Sequence, residues 1–255
     1  MNERLTYRRR DRPETVLHVL EGPCLRVRGQ PAVLPESSLR LLVYLAFRRR
    51  PAGRRVVAAT LWPEVTESRA GGNLRSAMWR LRGAGAGAAV VEANGATLTI
   101  GEEVAVDLDN LSGWAERVIG GGTGPSDLTV PDGADAALDL LPGWYEDWAI
   151  VERERVRTRV LHALEQVSRG LSAAGRHAQA VDAAIAAVCA DPLRESAQRA
   201  LIGTHLAEGN LVEAQRTFWS YRELLAAELG VDPAPELWQL IAAARIGHLP
   251  TLAVR

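Results

Sequence analysis

Asn73-Leu74-Arg75-Ser76-Ala77-Met78-Trp79-Arg80-Leu81-Arg82 is the stretch whose periodicity decides the fold. At about 100° per residue, Ala70, Ala77, Met78 and Leu81 fall within about 60° of Leu74 and make an apolar face. Arg69, Gly72, Ser76, Trp79 and Arg80 fall opposite, with Asn73, Arg75 and Arg82 on the flanks. An amphipathic helix is therefore expected within residues 66–82, showing a basic, polar face that carries one tryptophan. Such a face suits the major groove, where Arg takes guanine, Asn takes adenine and an aromatic ring meets a thymine methyl. Gly71 and Gly72 would each cost about 1 kcal/mol inside a helix. A start near Thr66 and a start at Asn73 both stay open, and the second leaves Arg69 on the preceding loop.

Upstream, Arg54 to Trp62 reads as a second helix, stopped by Pro63 because the residue before proline avoids the helical region. Pro51-Ala52-Gly53 separates it from a helix that starts around Pro35 and Ser37 or Ser38 and runs to about Arg49. Leu39, Leu41–Phe47 make that first helix apolar nearly all round, so it is expected to be covered on both sides. Before it, Val16–Leu20 and Cys24–Val27 read as short strands with a return through Ala32-Val33. Downstream, Val90-Val91-Glu92 and Thr97–Ile100 flank Ala93-Asn94-Gly95-Ala96, a hairpin signal. Sheet, three helices and hairpin in that order describe a winged helix-turn-helix, which places the third helix in the major groove and the second across the backbone. The candidate DNA-binding residues are Arg69, Asn73, Arg75, Ser76, Trp79, Arg80 and Arg82, joined by Arg54 and Arg55 on the second helix and Asn94 in the hairpin. The hairpin tip itself carries no arginine.

Charge follows the same division. Residues 1–82 hold 17 Arg against 7 acidic residues, and residues 111–255 hold 13 Arg against 19. A basic first third on an acidic remainder points to one polyanion-binding domain and one with another task. All 30 basic residues are arginine, a bias that accompanies a GC-rich coding sequence.

Beyond Val106 the chain reads as helices only. A helix from Asp107 to Ile119, a short one from Pro131 to Leu141 and a long one from about Trp144 to Ala174 precede four more, punctuated by Gly175, Asp191-Pro192, Gly209 and Asp232-Pro233. Gly175 and Gly209 lie 34 residues apart, as do Ala180 and Ala214, which is the tetratricopeptide period. Trp114, Trp144, Trp148, Trp219 and Trp238 are expected in the core of this part.

Two cysteines, Cys24 and Cys189, provide neither a disulfide framework nor a zinc cluster, which suits a reducing interior. No apolar run reaches the ~18–20 residues of a membrane span. The five histidines have no ligand spacing, and H-E-x-x-H, C-x-x-C, G-x-S-x-G and the P-loop are missing from the sequence. Gly83–Gly87 follows a helix rather than a strand, the wrong order for cradling phosphate. The expectation is a non-enzymatic, cytoplasmic and nucleoid-associated protein with no cofactor and no membrane partner.

Leu61-Trp62-Pro63, the 73–82 decapeptide and Val106-Asp107-Leu108-Asp109 resemble the OmpR-type winged helix of the Streptomyces antibiotic regulatory protein (SARP) family. Leu140-Leu141-Pro142-Gly143-Trp144-Tyr145-Glu146-Asp147-Trp148, Glu152–Arg155 and Glu228–Leu237 are similar to its bacterial transcriptional activator domain. The resemblance covers roughly residues 15–245. It implies a mainly α protein in which an N-terminal winged helix-turn-helix (α+β) precedes an all-α tetratricopeptide-like domain. The expected division is a disordered basic tail at 1–14, a winged helix at 15–104 and an activator domain at 105–248. The resemblance further implies binding to promoter repeats in double-stranded DNA, as a homodimer there, and recruitment of RNA polymerase, often at a specialised-metabolite gene cluster. Two other readings stay open: a protein-interaction adaptor with a degenerate winged helix, and a repressor using the same DNA site.

Overall fold

The computed structural model describes residues 14–84 and 89–247. The basic tail expected at the N-terminus falls almost entirely outside the described residues, as do positions 85–88 of the Gly/Ala run and His248. The described chain forms two compact units. The first takes in the chain up to Asn110 together with Asp139–Glu154, and the second takes in Leu111–Leu138 and the chain from Arg155 onward. No helix among the described residues is long and apolar enough to cross a membrane.

In the first unit, β1 (Thr15–His18), β2 (Cys24–Val27), β3 (Gln30–Pro31) and β7 (Val104–Val106) form a sheet in the order β3-β2-β1-β7. The alternation that marks β1 as a half-buried strand puts Thr15 and Leu17 inward. β7 runs parallel to β1, Thr15 opposite Val104 and Leu17 opposite Val106. Its three residues carry too short a pattern to mark a strand in the sequence. The expected return through Ala32-Val33 lies instead at Gln30–Pro31, and Val33 is fully exposed. A second sheet, β4-β6-β5, consists of β4 (Ala52–Gly53), β5 (Val91–Asn94) and β6 (Thr97–Ile100). Here Ala52-Gly53, read as a breaker, pairs with Leu98 and Thr97.

Three helices lie between: α1 (Glu36–Arg48), α2 (Arg54–Leu61) and α3 (Glu67–Leu81). The six residues Leu41–Ala46 of α1 are all buried because the helix has neighbours on two sides. On one side the Ser38 hydroxyl donates to the Ala77 carbonyl of α3 at 3.3 Å. On the other, the Tyr44 ring meets Trp148 edge to face, 5.4 Å between centroids, and Trp148 meets Trp144 in the same way. Arg40 joins this cluster, stacking over Trp144 with Nη1 2.7 Å from Glu146 Oε1. The turn that delivers Trp144 is held by Arg153, whose guanidinium donates to the carbonyls of Leu140, Leu141 and Trp144 at 2.6, 2.6 and 2.8 Å. It fixes Leu141, a fully buried non-glycine residue at φ 54°.

The second unit is helical, with α4 (Leu108–Ile119), α5 (Ala134–Leu138), α6 (Asp147–Ala173), α7 (His177–Ala190), α8 (Glu195–Ala207), α9 (Leu211–Leu229) and α10 (Pro235–Gly247). The first residues of α4 and of α6 belong to the first unit. Buried small residues let α7 and α8 approach closely, with Ala180, Ala184, Ala187 and Ala197 at zero exposure. Phe218, Tyr221 and Leu225 of α9 pack with Leu237 and Ile241 of α10 and Ile202 of α8. Of the five tryptophans expected in the core of this part, Trp144 and Trp148 belong to the first unit instead. Trp114 is buried in the second and donates to the Asp127 carbonyl at 2.9 Å, while Trp144 is buried in the first. Trp148 and Trp238 are half-buried, and Trp219 lies at the surface beneath the Arg222 guanidinium.

Candidate nucleic-acid interface

α3 is one helix through the glycine pair. It starts at Glu67, after Thr66 at the N-cap position, so Gly71 and Gly72 are interior and Arg69 is helical. An added Cβ on either glycine would meet the Arg75 guanidinium only at ordinary contact distance, 3.6 and 3.8 Å. The local cost of two glycines is offset by the apolar face, where Ala70, Leu74, Ala77 and Leu81 are all buried. The opposite face is open: Arg69, Arg75, Ser76 and Arg80 are exposed, and Trp79 keeps 72% of its surface in water.

Helical spacing sorts these side chains into two stripes. Arg69, Asn73, Ser76 and Arg80 follow the i, i+4, i+7, i+11 row. Arg75, Trp79 and Arg82 follow the next, with Arg82 just past the helix end. Arg80 and Arg82 also sit where the partial negative charge of the helix C-terminus favours cations. A shallow groove of about 500 Å³ runs along this end, lined by Arg54, Arg75, Ser76, Met78, Trp79, Arg80 and Arg82. Six of the ten residues singled out in the sequence are thus brought together there. Met78 is an addition, assigned to the apolar face by its periodicity but half-buried and reaching the groove edge.

The other four are placed differently. Arg69 is exposed and Asn73 half-buried on the N-terminal half of α3, outside the groove. Arg55 is almost fully exposed on α2, its Nε 3.4 Å from Glu67 Oε1. Asn94 ends β5 and is exposed, its backbone carbonyl accepting the Thr97 hydroxyl at 2.9 Å. The turn residues between the strands are Gly95 and Ala96, one position later than an Asn-Gly pair would give. Only Gly95 has positive φ, at 57°, as in the type II′ pattern with glycine first.

Arg54 belongs to both the groove and the hairpin. Its backbone N–H donates to the Ala96 carbonyl at 2.8 Å, its Nε to the Gly95 carbonyl at 3.1 Å, and Nη1 reaches the Met78 sulfur at 3.6 Å. Nothing in the local sequence signals those bonds, because the partners lie 41 and 24 residues away. The neighbouring arginines are also engaged: Arg48 stacks over the Tyr44 ring, and Arg49 pairs with Asp109. Among the described residues no group of His, Cys, Asp and Glu could hold a metal ion.

Residues 133–245 match the family model of the bacterial transcriptional activator domain. A regulatory protein AfsR of Streptomyces griseus is 28% identical over 232 residues, covering 86% of this chain and 23% of the relative. The AfsR of Streptomyces coelicolor is 32% identical over 217 residues, covering 81% of this chain and 21% of the relative. The chain therefore spans less than a quarter of the length of these curated relatives. A solved structure of Mycobacterium tuberculosis EmbR, in complex with a low-affinity phosphopeptide, superposes with a TM-score of 0.70 at 20% identity. It covers 92% of this chain and 65% of that one, a likeness of fold.

Proposed function

The chain belongs to the SARP family of transcriptional regulators, and from that premise we propose that it activates transcription by binding promoter repeats in double-stranded DNA through the outer face of α3. The observation that carries this is the groove that gathers Arg54, Arg75, Ser76, Trp79, Arg80 and Arg82 beside the open face of α3, whose opposite face is buried. The exposed guanidinium groups of Arg75, Arg80 and Arg82 supply both phosphate neutralisation and bidentate contact with base edges. An indole left mostly in water has no folding role on that face and is available to a ligand. Arg69 and Asn73 extend the contact along the groove of the DNA, with Arg55 at the backbone and Asn94 at the hairpin.

The proposed division is a winged helix at 15–104 and an activator domain at 105–248. The helix pairs of the latter form the type of surface that repeat proteins use to bind other proteins, and RNA polymerase is the proposed partner. Homodimerisation on the two repeats, location at the nucleoid and control of a specialised-metabolite gene cluster complete the reading. Footprinting on DNA upstream of the neighbouring genes, followed by transcription with purified RNA polymerase, tests it. A protected repeat and a higher transcript yield are the expected results. A protected repeat with a lower yield makes the protein a repressor. No specific protection at low salt makes it an adaptor and sinks the DNA reading.

A further inference from the structure

Arg54 is engaged unlike the other groove arginines. Arg75, Arg80 and Arg82 are exposed, whereas Arg54 is half-buried and uses its backbone N–H, Nε and Nη1 within the protein. All three bonds converge on two places, the hairpin turn at Gly95–Ala96 and the groove edge at Met78. The two residues before it, Ala52 and Gly53, pair with Leu98 and Thr97, so residues 52–54 close on residues 95–98 as one continuous seam.

The hairpin depends on that seam. Residues 91–97 are exposed or half-buried, Leu98 is the one fully buried side chain of the two strands, and β4 contributes only two residues. A two-stranded hairpin alone is marginal in water. Its tip also carries no cation, so its approach to DNA is made by the Asn94 amide and by backbone N–H groups, whose value depends on where they are held. A charge-assisted bond to the Gly95 carbonyl fixes that place relative to α3.

We infer that Arg54 is a positioning residue of the DNA-facing surface, a latch that sets the hairpin turn against α3 so that both meet the duplex together, and not itself a phosphate contact. This rests on the DNA-binding reading above. The chemistry of the side chain permits a clean separation of the two roles. The Nε2 of glutamine hangs from the same carbon position as the Nε of arginine, so Arg54→Gln keeps a donor for the Gly95 carbonyl while removing the charge.

The test is a binding titration over a salt series with the footprinted duplex, for wild type, Arg54→Ala, Arg54→Gln and Arg80→Ala, together with hydrogen exchange of the free proteins. Arg54→Ala is expected to weaken binding about tenfold, with the slope of log K against log salt unchanged, and to speed exchange in residues 91–100 but not in α1. Arg54→Gln is expected to stay within about threefold of wild type in affinity and to keep wild-type exchange in the hairpin. Equal losses for Ala and Gln, with the slope reduced by about 0.9, would make Arg54 a phosphate contact and overturn the latch. Unchanged hairpin exchange in Arg54→Ala overturns it too, without any reference to DNA. A wild-type protein that forms no specific complex removes the underlying DNA reading, a different failure from either of these.

Discussion

Gly175 and Gly209, 34 residues apart, end their helices with the same hydrogen bonds. The Gly175 N–H donates to Ser172 and Arg176 to Leu171, at 3.0 and 2.9 Å. The Gly209 N–H donates to Leu206 and Asn210 to His205, at 3.0 and 2.8 Å. Each acceptor is displaced by the same 34 positions. Both glycines have positive φ, 73° and 83°, and the six-residue closure is the Schellman type of helix ending. Ala180 and Ala214, the next matched pair, are both fully buried. The repeat is thus a property of the backbone as well as of the letters.

Replacement of either glycine by alanine therefore forces a side chain into the left-handed region, at a cost of about 1–2 kcal/mol. Urea unfolding of Gly175→Ala and Gly209→Ala should show losses of that size in both. An unchanged midpoint in either would mean that its turn relaxes freely.

On the proposed DNA face, Arg80→Ala should cost about 1–3 kcal/mol of specific affinity if the guanidinium reads a base. Because Trp79 is mostly exposed, Trp79→Ala should weaken binding while leaving thermal stability within about 0.5 kcal/mol. Titration of the footprinted duplex and a melting curve check both. Undiminished affinity in the two variants would remove α3 as the recognition helix.

Glu165 is a carboxylate with only 3% of its side chain exposed, and it accepts from Arg194 Nε at 2.6 Å and from the Ser196 hydroxyl at 2.7 Å. Removing one partner leaves a buried charge, so Arg194→Ala should destabilise by about 3–5 kcal/mol. Replacing the pair by Glu165→Leu with Arg194→Met should cost far less, since no charge is then stranded. Chemical denaturation of the single and double variants compares them.

Gly101 sits where a Cβ would come within 1.8 Å of the Ala89 carbonyl oxygen. Its own N–H donates to Val90, closing the base of the hairpin. Gly101→Ala should lower stability by about 1–3 kcal/mol through forced displacement of that backbone. Gly83→Ala, which meets nothing within 4 Å, is the control expected to melt like wild type.

Tyr221 has its phenol pKa raised above the ordinary 10.0, first by burial and then by the charges of Glu195 and Asp191. The folded state thus holds this proton more tightly than the unfolded one. Its contribution is full below the unfolded value and falls away as pH rises from there through the folded value. Tyr221→Phe should therefore reduce the loss of stability between roughly pH 9 and pH 11. Urea midpoints that decline in parallel for both proteins would contradict this.

Long elements were legible because their pattern is local. The periodicity around Leu74 placed the buried and exposed faces of α3, and Gly175, Gly209 and Asp232-Pro233 marked real helix ends. Elements defined by distant pairing were not. Val104–Val106 is a strand because Thr15 and Leu17 stand opposite it, and Ala52-Gly53 because Leu98 and Thr97 do. In the candidate site the same rule separates Trp79, whose exposure follows from its helical angle, from Arg54, whose bonds to Gly95 and Met78 cross 41 and 24 residues. The glycine pair was ambiguous for a different reason: propensity argued for a break at Gly71-Gly72, and burial of Ala70 and Leu74 overrode it.

The chain passes from the first compact unit to the second after Asn110, returns at Asp139 and departs again after Glu154. No single scission can release either unit whole. A fragment stopped at Asn110 would leave Tyr44 without Trp148 and Arg40 without Glu146, and one begun at residue 133 would carry Arg153 and its turn with no helix to lie on. Exchange of the C-terminal segment between chains of this build therefore carries along sixteen residues, Asp139–Glu154, whose packing partners Tyr44 and Arg40 stay behind in α1.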